Sequence, residues 1–121
     1  RVSERQSQMF RIGWVGDYPD AENFLQLFYG RNVSPGPNRC NYANPRFDQL
    51  YEAACAAQDE ATRNRYWAEA QELVREDCPW VFLHFQKAYS LSHARVRNYM
   101  PSDFPYGTEK YLRTPVAGDG R

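Results

Sequence analysis

The stretch Gly13-Trp14-Val15-Gly16-Asp17-Tyr18-Pro19-Asp20 sets two carboxylates beside a tryptophan and a tyrosine, and Glu22 adds a third acid just beyond. No histidine or lysine stands nearby. Three kinds of chemistry suit such a cluster. Paired carboxylates are what acid–base hydrolysis of a glycoside requires, which would make the chain a hydrolase using Asp17, Asp20 and Glu22. A fixed carboxylate beside an aromatic wall instead suits a ligand with a cationic amine, through a charge-assisted hydrogen bond and a cation–π contact. Acids at a strand-to-helix turn also cap the helix and complement the positive end of its dipole. Spacing alone favours this last reading for the cluster, because catalytic pairs usually come from separate elements.

Other chemistries find less support. The serines and cysteines lack the glycine pattern of a nucleophile elbow, and His84 and His93 lack metal spacing such as HExxH. His84 lies within an apolar run and reads as a hydrogen-bonded core histidine. No metal site or cofactor is expected, and no glycine-rich loop cradles phosphate.

The elements that would position the cluster follow from periodicity. Gln8 to Val15 alternates, with Phe10, Ile12 and Trp14 on one face, and predicts a strand ending at Gly16. In a straight strand Trp14 and Asp17 would face opposite ways; a turn at Gly16 lets both project into one crevice. Phe24, Leu25 and Phe28 predict a short helix from about Pro19 to Tyr29. Gly30 to Tyr42 is rich in glycine, proline and asparagine and predicts an exposed loop. Asn44-Pro45 opens a helix with the apolar stripe Phe47, Leu50, Tyr51 and Ala54. A second helix capped by Asp59 carries Tyr66, Trp67, Ala70, Leu73 and Val74 inward until Pro79 stops it. Trp80 to Phe85 reads as a central strand, with Ala88 to Ser92 as its hairpin partner or extension. From Arg97 the chain is rich in proline and tyrosine without periodicity and predicts an irregular strap, whose aromatic stretch from Tyr99 to Tyr111 would be the docking surface if the chain is a plain protein-interaction module. The sum is an α/β or α+β arrangement, a mixed sheet with three helices.

At 121 residues the chain is long enough for one domain with a core, and 42% hydrophobic with 25% charged is ordinary for a globular protein. Fifteen basic residues balance fifteen acidic ones without a block of either sign, so no footprint for nucleic acid or an anionic membrane is present. No run is long enough to span a bilayer. The opening Arg1-Val-Ser-Glu-Arg-Gln is neither an initiator methionine nor a signal peptide and suggests a piece cut from a longer chain. The three cysteines, Cys40, Cys55 and Cys78, show no CxxC spacing. Cys55 reads as a small buried residue beside the apolar stripe.

Three blocks, "GWVGDYPDAENFLQLFYG", "NYANPRFDQLYEAA" and "DEATRNRYWAEAQELVREDCPWVFLHFQ", resemble in order and spacing the C-terminal portion of the family 5 extracellular solute-binding proteins, the oligopeptide- and dipeptide-binding components of bacterial ABC importers. The resemblance implies a non-enzymatic receptor, periplasmic or extracellular and membrane-associated through a partner or lipid anchor. Such a receptor has a two-lobed periplasmic-binding-protein-like fold of type II that closes on a peptide or similar small solute and docks on a membrane permease. Residues 1 to 95 would then belong to the second lobe, and 96 to 121 would cross back to the first as a strap. The resemblance assigns Asp17 to the ligand's terminal amine and Trp14 to the pocket wall, with Tyr18 in the same block. The family also contains nickel-, heme- and sugar-binding members. An extracytoplasmic location would permit a disulfide between Cys40 and Cys78 if the loop folds over the helical hairpin. A truncated chain with an unpaired sheet edge or exposed apolar face should self-associate.

Overall fold

Asn44 and Pro45 begin a helix through the chemistry of their own side chains. The Asn44 side chain accepts hydrogen bonds from the backbone N–H of Arg46 at 2.9 Å and Phe47 at 3.3 Å, and the proline beside it forfeits only an N–H that a helix start leaves unpaired. In this computed structural model, which describes residues 1–85, 87, 89–100, 107 and 109–114, the three α-helices are α1 (Glu22–Leu25), α2 (Pro45–Ala56) and α3 (Glu60–Asp77). Asp59 caps α3 by accepting from the Thr62 N–H at 2.8 Å. Cys78 ends it in the left-handed region at φ 45°, and Pro79 prevents a further turn. The backbone clusters into two units, Arg1–Phe82 and Leu83–Arg121.

The first unit is built on α2 packed against α3. Phe47, Leu50, Tyr51 and Ala54 are buried on one side, and Trp67, Ala70 and Val74 on the other, while Tyr66 and Leu73 lie partly buried against them. Tyr51 meets Trp67 edge-on at 5.4 Å, and Phe47 packs among Phe28, Tyr42 and Tyr51. This is the stripe that helical spacing predicts.

The segment leading into this core departs from expectation. Instead of one helix from Pro19 to Tyr29, a single turn, α1, passes into a 3₁₀ turn at Gln26–Phe28. Tighter winding moves the buried set: Leu25, Leu27 and Phe28 face the core, whereas Phe24 is 45% exposed. The loop from Gly30 to Tyr42 is more ordered than "exposed loop" implies. Asn38 is fully buried there, its Nδ2 donating to the carbonyls of Tyr29 at 3.0 Å and Tyr42 at 2.9 Å, and its Oδ1 accepting from Tyr42 N–H. Gly36 passes so close to the Asn32 carbonyl that a Cβ would collide with it.

The expected mixed sheet does not form among the described residues. Their β pairing consists of two isolated bridges, Val33 with Asn38 and Arg97 with Arg113. Gln8 to Val15 runs without a ladder, and among the described residues no backbone N–H from Ser7 to Pro19 donates to another backbone carbonyl. Trp80 to Phe85 is likewise unpaired, and of these Trp80 alone packs on the core, against Phe28 at 4.8 Å. The physical reason is pairing: strand-type residues satisfy their backbone only beside another strand, and none lies in register with these among the described residues. Consequently Val81 and Phe82 are exposed, and so is His84, which is not a core histidine here. Cys55 is exposed as well, because it falls one position past Ala54 on α2 and off the buried stripe.

Within the second unit, Arg97 and Arg113 exchange backbone hydrogen bonds at 2.8 and 3.2 Å, and Glu109–Tyr111 forms a 3₁₀ turn. Asn98 Nδ2 donates to the Tyr111 carbonyl at 3.2 Å. Ala88, and much of the expected strap, lie outside the described residues.

Candidate functional site

The cluster around Asp17 is assembled by one buried side chain. Asn23, 1% exposed, sits on α1 with its amide turned back toward the preceding segment. Its Oδ1 accepts from the Trp14 indole N–H at 2.9 Å and from the Asp17 backbone N–H at 3.2 Å. Its Nδ2 donates to Asp17 Oδ2 at 3.3 Å. The amide orientation is forced, because an indole N–H and a backbone N–H are donors only and need an oxygen opposite them. Trp14 and Asp17, which a straight strand would send to opposite faces, are thereby brought together. Trp14 is half-buried against the core and Asp17 stays exposed.

The neighbouring acids are committed to structure. Asp20 Oδ1 accepts from the Glu22 N–H at 2.8 Å, and Asp20 Oδ2 pairs with Arg63 of α3 at 2.7 Å. Glu22 accepts from two phenols, Tyr18 on the turn and Tyr51 of α2, the latter at 2.8 Å. The turn is thus fastened to α3 through Asp20 and to α2 through Glu22. The bond to Glu22 holds the Tyr18 phenol above its ordinary pKa, with Asn23 opposing; burial first, then Glu22, pushes Tyr51 far higher. Asp17 differs from both acids: among the described residues its carboxylate pairs with no cation, as Asp20 does with Arg63, and accepts from no phenol, as Glu22 does from two, its hydrogen-bond partner being Asn23. A hydrolase would need two carboxylates free to exchange protons, and the structure leaves Asp17 alone in that condition.

Of the residues singled out in the sequence, Trp14 and Asp17 converge, and Tyr18 lies beside them at 41% exposure, bound to Glu22. Asn23 does not stand out in the sequence, where capping and packing account for an asparagine near a helix start. Its signal was position: an amide immediately before Phe24-Leu25, where burial demands full satisfaction of its polar atoms. Cys40 and Cys78 are free thiols, Cys40 donating to Asn38 Oδ1 at 3.2 Å and Cys78 to the Trp80 carbonyl at 3.4 Å. Among the described residues no group of three histidine, cysteine or acidic side chains is placed to hold a metal, and no helix is long and apolar enough to cross a membrane.

No family model matches the chain, and no solved structure does. Curated relatives do. The chain is 29% identical over 117 residues to a probable di/tripeptide-binding protein of Pseudomonas aeruginosa, covering 96% of this chain and 22% of that protein. It is 29% identical over 118 residues to a heme-binding protein of Haemophilus influenzae, covering 98% of this chain and 21% of the relative. A putative binding protein of Haemophilus influenzae is 36% identical over 70 residues, 58% of this chain and 13% of its own length. The chain therefore spans about a fifth of the length of the first two relatives. Across nearly its whole length the chain is similar to segments of proteins named for di/tripeptide and heme binding, in keeping with the resemblance of its three sequence blocks to the family 5 solute-binding proteins.

Proposed function

We propose that this chain forms part of an extracytoplasmic substrate-binding protein of an ABC importer, which encloses a peptide or similar small solute and delivers it to a membrane permease. Residues 1 to 95 contribute to the second of two lobes, and 96 to 121 cross toward the first. The location is periplasmic or extracellular, with attachment to the membrane through the permease or a lipid anchor. Binding proceeds without turnover. Asp17 takes the ligand's cationic amine, Trp14 forms the adjoining wall, and Tyr18 edges the same site. Self-association of the chain through its exposed apolar run belongs to the same proposal.

The observation that carries this reading is the convergence of Trp14 and Asp17 on Asn23, with the carboxylate exposed and without an ion pair beside a half-buried indole. A carboxylate so placed gains a charge-assisted bond when an amine arrives and the site closes over it. The relatives agree in kind, since their names describe binding. Calorimetric titration of the full-length receptor with dialanine and with N-acetyl-dialanine tests it. Asp17→Asn is expected to weaken dialanine by about 2–5 kcal/mol, the cost of removing one partner of a buried charge pair, and to leave the acetylated ligand nearly unchanged. Equal losses for both ligands would refute the assignment.

A further inference from the structure

Asn23 does more than fill a place in the core. Between Ser7 and Pro19 no backbone N–H donates to another backbone carbonyl among the described residues, so the segment carrying Trp14 and Asp17 has no ladder to fix its direction. Its polar attachments to the core next to these residues are the two N–H groups shared by Asn23 Oδ1, and the carboxylate is oriented by Asn23 Nδ2. The amide is itself held in place. Its backbone N–H donates to the Asp20 carbonyl at 3.2 Å, its own carbonyl accepts from Gln26 Nε2 at 3.2 Å, and the residue is 1% exposed between Leu25 and the turn. A buried group thus positions a half-buried indole and an exposed carboxylate.

We infer that Asn23 is the positioning residue of this site: one buried amide sets the direction of both the Trp14 indole and the Asp17 carboxylate, and through them the preference for a ligand with a free amine. This rests on the assignment of Asp17 to the amine. The mechanism uses three bonds that no other asparagine or glutamine in the segment duplicates. An acceptor with two lone pairs serves the two N–H donors, and the amide's own N–H keeps one carboxylate oxygen turned toward the core. The other oxygen is left facing outward.

Two measurements separate positioning from mere packing. In the 121-residue chain, amide and indole hydrogen exchange followed by NMR reports each bond directly. Asn23→Leu, close to asparagine in volume but without polar atoms, is expected to speed exchange of the Trp14 indole and Asp17 amide at least tenfold while α2 and α3 keep their protection. Asn23→Asp combined with Asp17→Asn exchanges amide and carboxylate, so that all three bonds can form without two facing carboxylates, and is expected to restore protection at both N–H groups. Unchanged exchange in Asn23→Leu overturns the inference, as does failure of the paired amide–carboxylate exchange to protect either group, and this second variant decides the matter if the leucine variant unfolds. In the full-length receptor, the ratio of dialanine to N-acetyl-dialanine affinity is expected to fall at least tenfold in Asn23→Leu. A wild-type receptor indifferent to acetylation would refute the role of Asp17. A wild-type preference that survives Asn23→Leu intact would refute that of Asn23 alone.

Discussion

Replacing Phe47 by alanine tests the packing that carries the site. Phe47 is fully buried on α2, with Tyr42 edge-on at 5.7 Å, Phe28 edge-on at 6.3 Å and Tyr51 stacked at 6.3 Å. Truncating such a ring costs about 3–5 kcal/mol, from lost transfer free energy and the cavity left behind. A domain of this size is stable by roughly 0.05–0.15 kcal/mol per residue, or about 4–12 kcal/mol for the first unit, so the change removes a quarter of its stability at least. At about 4–8 °C per kcal/mol, thermal unfolding followed by circular dichroism at 222 nm should show a midpoint lower by at least ~12 °C, or no folded baseline. The control is Phe24→Ala. Both phenylalanines fall on apolar stripes in the sequence, yet Phe24 is 45% exposed because α1 gives way to a 3₁₀ turn after Leu25. Its loss should stay within about 0.5–1 kcal/mol. Equal midpoints for the two variants would refute the placement of α1 against the helical pair.

Asn44→Ala should remove the cap of α2, lowering stability by about 1 kcal/mol in urea unfolding with no change in the slope, whereas Asn44→Ser keeps a capping oxygen without setting a carboxylate against Asp77, to which Asn44 Nδ2 donates at 2.7 Å, and should lose less. An unchanged midpoint for the alanine variant would contradict the cap geometry. Alkaline pH should also destabilise the fold. Burial first, then the hydrogen bond to Asp77, raises the Tyr42 phenol to about 12, and Tyr51 is raised as well. A raised phenol pKa means that the folded state holds its proton more tightly than the unfolded state does. The stabilisation is therefore complete below the unfolded value near 10 and is lost as pH rises from there through about 12. Absorbance at 295 nm should show the Tyr42 and Tyr51 phenols ionising well after an ordinary phenol, with Tyr18 and Tyr29 also delayed, and the late amplitude should fall in Tyr42→Phe; ionisation of all tyrosines near 10 would contradict the burial.

The local helical code was legible in the sequence. Asn44-Pro45 and Asp59 mark the starts of α2 and α3, Pro79 enforces the stop, and the spacing of Phe47, Leu50, Tyr51, Ala54, Trp67, Ala70 and Val74 names the buried stripe. Helices close their own hydrogen bonds, so capping and periodicity suffice to find them. The alternation from Gln8 to Val15 and the apolar run from Trp80 were equally visible but did not become strands, because a strand's hydrogen bonds belong to its neighbour. The site divides along the same line. Its types, a tryptophan and an aspartate flanking a glycine, stand in the sequence; that they face one another depends on Asn23, whose amide reaches back across the turn to both. Likewise, nothing in the run Asp17, Asp20 and Glu22 distinguishes one acid from another until α3 offers Arg63 to Asp20 and α2 offers Tyr51 to Glu22. The sequence by itself determined which residues could bind and where the helices begin and end. Tertiary structure decided which carboxylate stays free, because that depends on partners brought from elements distant in the chain.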